Sequence, residues 1–222
     1  MLTFGHSGFP MIIYPTSMGS HNQNKDFGLI NSIAWFVNTG RIKVYCPGSL
    51  DNDSFYNRGI HPAQKIANHQ IYDDLILNEV VYRAMHETGR GNVAMAGCSF
   101  GGYHALNFSF RHPDKVRYVF SLGGAFDISS FMWGFSNDDV YFNNPVDYMP
   151  NLGQGWYLDN IRNMGIVLGS GEHDICKEDN YRMSGILHSR QINHWLDVRP
   201  GGIHDWPEWN RMLPHYVSQI NL

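Results

Sequence analysis

The sequence predicts an α/β protein, with a mostly parallel central sheet and helices on both of its faces. Three observations predict it. Short apolar runs alternate with longer stretches of helical periodicity along most of the chain. The runs are apolar almost throughout, as strands covered on both faces must be. The 222 residues are 43% hydrophobic, enough to bury one sizeable core, so one domain over 1–222 is expected.

The elements follow in order. Residues 11–14, Met-Ile-Ile-Tyr, read as a buried strand. Residues 25–37 put Phe27, Ile30, Ile33, Ala34 and Val37 at helical spacing. Residues 42–46 form the next strand, closed by Pro47-Gly48. A helix is expected over 71–87, a strand over 92–96, a helix over 100–110 and a strand over 116–122. The last two strands are expected at 165–169 and 194–198. Between them, residues 127–163 break the rhythm with Phe131, Trp133, Phe135, Tyr141, Phe142, Trp156 and Tyr157 among Asn, Asp, Gly and Pro. They read as an aromatic-rich insertion over the C-terminal sheet edge, where open α/β sheets bind ligands.

Composition narrows the partners. Charged residues are 16% and the net charge is -4, without a basic block, so nucleic acid is not expected as a partner. Cys46, Cys98 and Cys176 are too few and too widely spaced for a disulfide framework or a zinc finger. They suggest reduced thiols and a cytoplasmic protein. The first residues carry no basic segment or long apolar run, so neither a signal peptide nor a membrane partner is expected. Oligomeric state stays open, a homo-oligomer included.

Chemistry enters at Gly97-Cys98-Ser99-Phe100-Gly101-Gly102. A Gly-x-Ser-x-Gly pattern is common by itself. Here a strand precedes it and a helix follows at once, which is the setting of a nucleophile elbow. Small flanking residues let the backbone turn sharply, and Ser99 projects above the sheet edge beside the helix N-terminus. Cys98 leaves the turn in another direction and is not the expected nucleophile. A serine needs a base and an orienting acid, and this fold places them after it in the order acid, then His. His204, in Gly201-Gly202-Ile203-His204-Asp205-Trp206, follows the last strand. Asp205 and Glu208 have capping-box spacing, so a helix starts just beyond it. His188, His194 and His215 fall within elements and read as packing or surface residues. The acid belongs after residues 165–169, where Gly171-Glu172-His173-Asp174 offers Asp174 with Glu172 as its rival. Phe100 N–H is one expected oxyanion donor. The loop Pro15-Thr16-Ser17-Met18-Gly19-Ser20 should supply another.

Residues 92–102, 171–174 and 201–206 together resemble the esterase D-like family of the α/β-hydrolase fold. That family includes feruloyl and acetylxylan esterases, S-formylglutathione hydrolases and mycolyltransferases. The resemblance runs from about residue 11 to the last helix. It implies a cofactor-free, metal-free carboxylic ester hydrolase acting on a small-molecule ester, with Ser99 as nucleophile, His204 as base and Asp174 as acid. Met18 and Phe100 would then be the oxyanion donors. Two departures stand out. The family's His-Gly-x-Gly-Gly oxyanion block is replaced here by Thr16-Ser17-Met18-Gly19-Ser20, and of the one or two extra strands the family has before the first buried strand only residues 2–4 remain. The sheet is therefore expected to lack one or two edge strands. A thioesterase or acyltransferase with the same triad, or a non-catalytic binding homologue, remains the alternative.

Three other signals carry less. Gly89-Arg90-Gly91-Asn92-Val93-Ala94 fits a dinucleotide fingerprint but runs from helix to strand, the reverse of such a site. His86-Glu87 has no second histidine at zincin spacing. Residues 48–56 form a polar loop after a strand end and are candidates for the cleft wall.

Overall fold

The computed structural model describes residues 1–220; the last two positions of the expected 1–222 domain lie outside the described residues. Seven strands form one sheet: β1 (Leu2–Phe4), β2 (Phe9–Tyr14), β3 (Ile42–Cys46), β4 (Val93–Cys98), β5 (Val116–Leu122), β6 (Gly165–His173) and β7 (Trp195–Ile203). Their order is β1-β3-β2-β4-β5-β6-β7, and every pairing is parallel except β1 with β3. The N-terminal edge is thus a three-residue antiparallel strand.

β2 and β4 are buried along their whole length, which their unbroken apolar sequences anticipate. Alternate side chains feed two cores. Met11, Ile13, Ala94 and Ala96 face one layer with Leu29, Ile33, Met212 and Leu213. Ile12, Tyr14 and Met95 face the other with Ile76, Leu106 and Phe108. The helices behind these residues are α1 (Pro62–Leu75), a π-helical turn at Ile76–Val81, α2 (Tyr82–Thr88), α3 (Phe100–Arg111), α4 (Trp156–Arg162), α5 (Lys177–Ser189) and α6 (Trp206–Ser218).

The structure corrects several element expectations. The helix expected over 25–37 is three single turns, Gln23–Asp26, Leu29–Ser32 and Ala34–Asn38. Gly28, at φ 86°, breaks the first junction. Phe27 is therefore not core but stacks its exposed ring on Trp206 at 4.9 Å. The helix expected over 71–87 begins at Pro62, capped by His61. Its first turns bury Lys65, His69 and Asp73, so a search for apolar periodicity passes over them. β6 and β7 run four and five residues past their expected ends, and His194 lies just before β7 rather than on it. The capping box also fails. Asp205 caps Trp206, but the Glu208 carboxylate pairs with Arg211 and Arg199 instead of reaching back.

The segment 127–163 is largely the β5-to-β6 crossover, and α4 is its returning helix. Phe131 packs on Tyr56 and Phe100 at 5.0 and 5.3 Å. Trp133, Phe142, Trp156 and Tyr157 each stand at least half exposed. Lys65 ties this segment down from α1. Its ammonium donates to the Phe55 and Phe131 carbonyls and lies 3.8 Å from the centre of the Trp133 ring.

Candidate active site

Ser99 joins β4 to α3 with φ 56° and ψ -125°, a backbone conformation that costs free energy for any residue bearing a Cβ. Three glycines make the turn possible. A Cβ on Gly97 would lie 2.1 Å from the Gly101 carbonyl oxygen. One on Gly101 would lie 2.2 Å from the Pro15 carbonyl oxygen, and one on Gly102 would lie 2.5 Å from Ser121 Oγ. The turn is tied by Ser99 N–H donating to the Leu122 carbonyl at 2.8 Å. Cys98 points into the core, fully buried, and burial pushes its thiol pKa well up, so it stays protonated.

Sheet register brings the other two residues to Ser99. His173 on β6 pairs with Ile203 on β7, so the next residues, Asp174 and His204, emerge side by side. The strands approach closely here because Gly171 faces Gly202. A Cβ on Gly171 would lie 2.3 Å from the Gly202 carbonyl carbon. His204 Nδ1 lies 2.7 Å from Asp174 Oδ1, and His204 Nε2 lies 2.9 Å from Ser99 Oγ. A carboxylate only accepts, so Nδ1 carries the proton and Nε2 accepts from the serine hydroxyl. Asp174 also accepts from Cys176 N–H at 2.7 Å and is buried. Glu172 is exposed and points elsewhere, accepting from Gly201 N–H at 2.8 Å. Gly123 leaves room for the pair. At φ 59°, a Cβ there would lie 2.6 Å from Asp174 Oδ2 and 3.0 Å from His204 Nδ1. No motif marks that glycine.

Residues 48–220 match the family model described as Putative esterase. The chain belongs to that family. It is a carboxylic ester hydrolase of the serine type. No curated protein sequence is significantly similar to it. Among solved structures, this esterase resembles a ferulic acid esterase at TM-score 0.72 and 17% identity, over 95% of this chain and 83% of that one. It resembles the S-formylglutathione hydrolase of Staphylococcus aureus at TM-score 0.67 and 17% identity, over 98% and 82% of the two chains. MPT51 of Mycobacterium tuberculosis matches at TM-score 0.68 and 14% identity, over 98% and 90%. These likenesses establish the shared α/β-hydrolase fold.

The structure leaves the Phe100 amide free of its own helix. Phe100 is the first residue of α3, where an N–H has no acceptor within its own helix. The Met18 expectation does not hold. Met18 N–H donates to Asp51 Oδ2 at 2.8 Å and is committed there. The preceding amide, Ser17 N–H, has no acceptor among the described residues. The physical reason is the turn Thr16–Gly19, closed by Gly19 N–H on the Thr16 carbonyl, with Met18 at φ 56°. That turn aims successive amides in different directions.

Asp51 and its partner form a support that sequence reading misses. Asp51 Oδ1 lies 2.9 Å from His104 Nε2, and both side chains are buried. Burial opposes the Asp51 charge, but His104 and the Met18 amide outweigh it and hold its pKa below the usual carboxylate range. His104 lies on α3, five residues past Ser99, so this pair connects the elbow helix to the 15–20 loop. Asp51 and Tyr56 both come from the polar loop 48–56, and Tyr56 packs edge-on against Phe100 at 5.6 Å. Asp174, Cys176 and His204 bring three ligand-type atoms within 4.8 Å of one another, the cluster among the described residues that could hold a metal ion. Two of its members are already bonded to each other in the chain to Ser99.

Against His104 packs His69, buried among the rings of Phe55, Tyr103 and His104. Its Nδ1 has no partner among the described residues. Burial first, and then the neighbouring His104, push its pKa down to about 3. An unfolded histidine titrates near 6.5. Between these values the unfolded state holds one more proton than the folded state. Stability is therefore full above pH ~6.5 and falls with pH below it, by about 1.4 kcal/mol per pH unit from this group. Urea unfolding of wild type and His69→Gln at pH 7.5 and 5.5 measures it. The variant should show a shallower loss on acidification, and equal losses would refute the assignment.

Proposed function

We propose that this esterase hydrolyses small-molecule carboxylic esters through an acyl-enzyme on Ser99, with His204 as general base and acid and Asp174 as its orienting acid. The observation that carries the reading is the chain Ser99 Oγ–His204 Nε2 and His204 Nδ1–Asp174 Oδ1, at 2.9 and 2.7 Å. Ser99 Oγ attacks the acyl carbon, its proton passes to His204 Nε2, and the carbonyl electron pair moves onto oxygen. In this reading the Phe100 amide, at the helix start, and the Ser17 amide, which has no acceptor among the described residues, are the donors to that oxyanion. The C–O bond to the alcohol then breaks, and the alkoxide takes the proton from His204. Water enters by the same route, giving its proton to His204, and releases the acid and free Ser99.

Tyr56 and Phe131, both partly exposed, pack on buried Phe100 next to Ser99, which suits an apolar or aromatic group on the ester. The net charge of -4 supports a reading without a nucleic-acid partner. Among the described residues no helix is long and apolar enough to cross a membrane. Three unpaired cysteines support a cytoplasmic setting. A fluorophosphonate probe tests the centre directly. The adduct is expected on Ser99 when mapped by peptide mass spectrometry, alongside turnover of p-nitrophenyl acetate. An adduct on another residue, or neither adduct nor turnover, would overturn the proposal.

A further inference from the structure

Ser17 Oγ and Tyr56 Oη lie 2.7 Å apart, a short hydrogen bond between two hydroxyls. Two hydroxyls hold two protons, and the bond between them uses one. The other proton has no acceptor among the described residues. A phenol is the stronger donor and an aliphatic hydroxyl the better acceptor, so Tyr56 donates and the Ser17 proton is left free. Accepting a bond from Tyr56 also polarises the Ser17 O–H and strengthens it as a donor.

The pair is tied to the elbow through both of its loops. Tyr14, at the end of β2, pairs with Gly97, two residues before the nucleophile. The Pro15 carbonyl then presses on Gly101, two residues after it. Ser17 follows in the same loop. Tyr56 packs its ring edge-on to Phe100 at 5.6 Å. Its ring also packs on Phe131 at 5.0 Å. The hydroxyl pair thus joins the loop that presses on the elbow to a ring packed on the residue after the nucleophile. Met18 has withdrawn its amide to Asp51, so the loop brings fewer amides to the oxyanion than its length allows.

From this juxtaposition we infer that the Ser17 hydroxyl is a catalytic side-chain donor to the oxyanion, beside the Phe100 and Ser17 amides, and that Tyr56 is the positioning residue that aims it. The inference rests on the reading of Ser99 as nucleophile. A side-chain donor of this kind acts mainly once charge has developed on the carbonyl oxygen, so its loss lowers kcat more than it raises KM.

Ser17→Ala keeps the amide and removes the hydroxyl. On a short p-nitrophenyl ester its kcat should fall about 10²-fold with KM little changed. Affinity for a trifluoromethyl ketone should fall in proportion, because its hemiketal on Ser99 carries the same oxyanion. Ser17→Thr, which restores a hydroxyl, should recover most of kcat. Tyr56→Phe keeps the ring packing and should lose less than Ser17→Ala, again in kcat. Thermal melts of each variant report on the fold. Wild-type kcat and ketone affinity in Ser17→Ala would overturn the inference. So would losses confined to KM and melting temperature, which mark the pair as a tie between two loops. A wild-type enzyme without turnover or fluorophosphonate adduct would overturn the Ser99 reading itself, and is told apart by that control.

Discussion

Ser99→Ala is expected to lower kcat on a short p-nitrophenyl ester by about 10⁶-fold, and to abolish fluorophosphonate labelling. The size of the effect follows from the chain of hydrogen bonds. His204 Nε2 has the serine hydroxyl 2.9 Å away, and the acyl-enzyme cannot form without that oxygen. Oxyanion donors and substrate binding would remain, so residual turnover above the solution rate is expected. The fold should be untouched. Alanine carries the same Cβ as serine, so the strain at φ 56° is unchanged, and the Ser99 N–H bond to Leu122 persists. Steady-state kinetics with an intact-mass measurement checks both halves. A variant that still labels at another residue would show that Ser99 is not the nucleophile.

Asp174→Asn should lower kcat by about 10⁴-fold, while Glu172→Gln should leave kcat close to wild type. Asp174 accepts from His204 Nδ1–H and from Cys176 N–H through one oxygen. An asparagine can offer its amide group to Nδ1, which turns the imidazole to the wrong tautomer and leaves Nε2 protonated toward Ser99. It also removes the negative charge that stabilises the imidazolium formed during attack. Glu172 has neither role. It is exposed and accepts from the Gly201 amide, so its amide analogue keeps that bond. The two variants therefore separate the rival acids in a single kinetic comparison. The reverse ranking would assign the acid to Glu172.

How much of this was legible follows from range of interaction. The elbow was readable because its demands are local. A strand, a sharp turn and a helix N-terminus must follow one another within a few residues, and Gly97, Ser99, Gly101 and Gly102 announce the turn. His204 was readable because its position after the last strand, just before a helix start, is also local. Buried strands announced themselves by apolar runs, and five of the seven were placed within a few residues of their bounds. The first turns of α1 were not, because buried Lys65, His69 and Asp73 are polar residues that interrupt the apolar period. The 25–37 helix was misread because Phe27 satisfies helical spacing yet packs on Trp206, far along the chain.

The sequence by itself determined the fold class and pointed to the sharp turn at Ser99 and the loop position of His204, because each rests on hydropathy period and backbone geometry over a short span. Only the tertiary structure separates Asp174 from Glu172, setting the first against His204 and the second against the Gly201 amide. The choice depends on the β6–β7 register that sets His173 against Ile203. It alone shows that the Met18 amide is taken by Asp51, from 33 residues away. It also brought Gly123, Tyr56 and His104 to the site. A contact between residues so far apart depends on how sheet and helices pack, and no local pattern in either residue's neighbourhood encodes it.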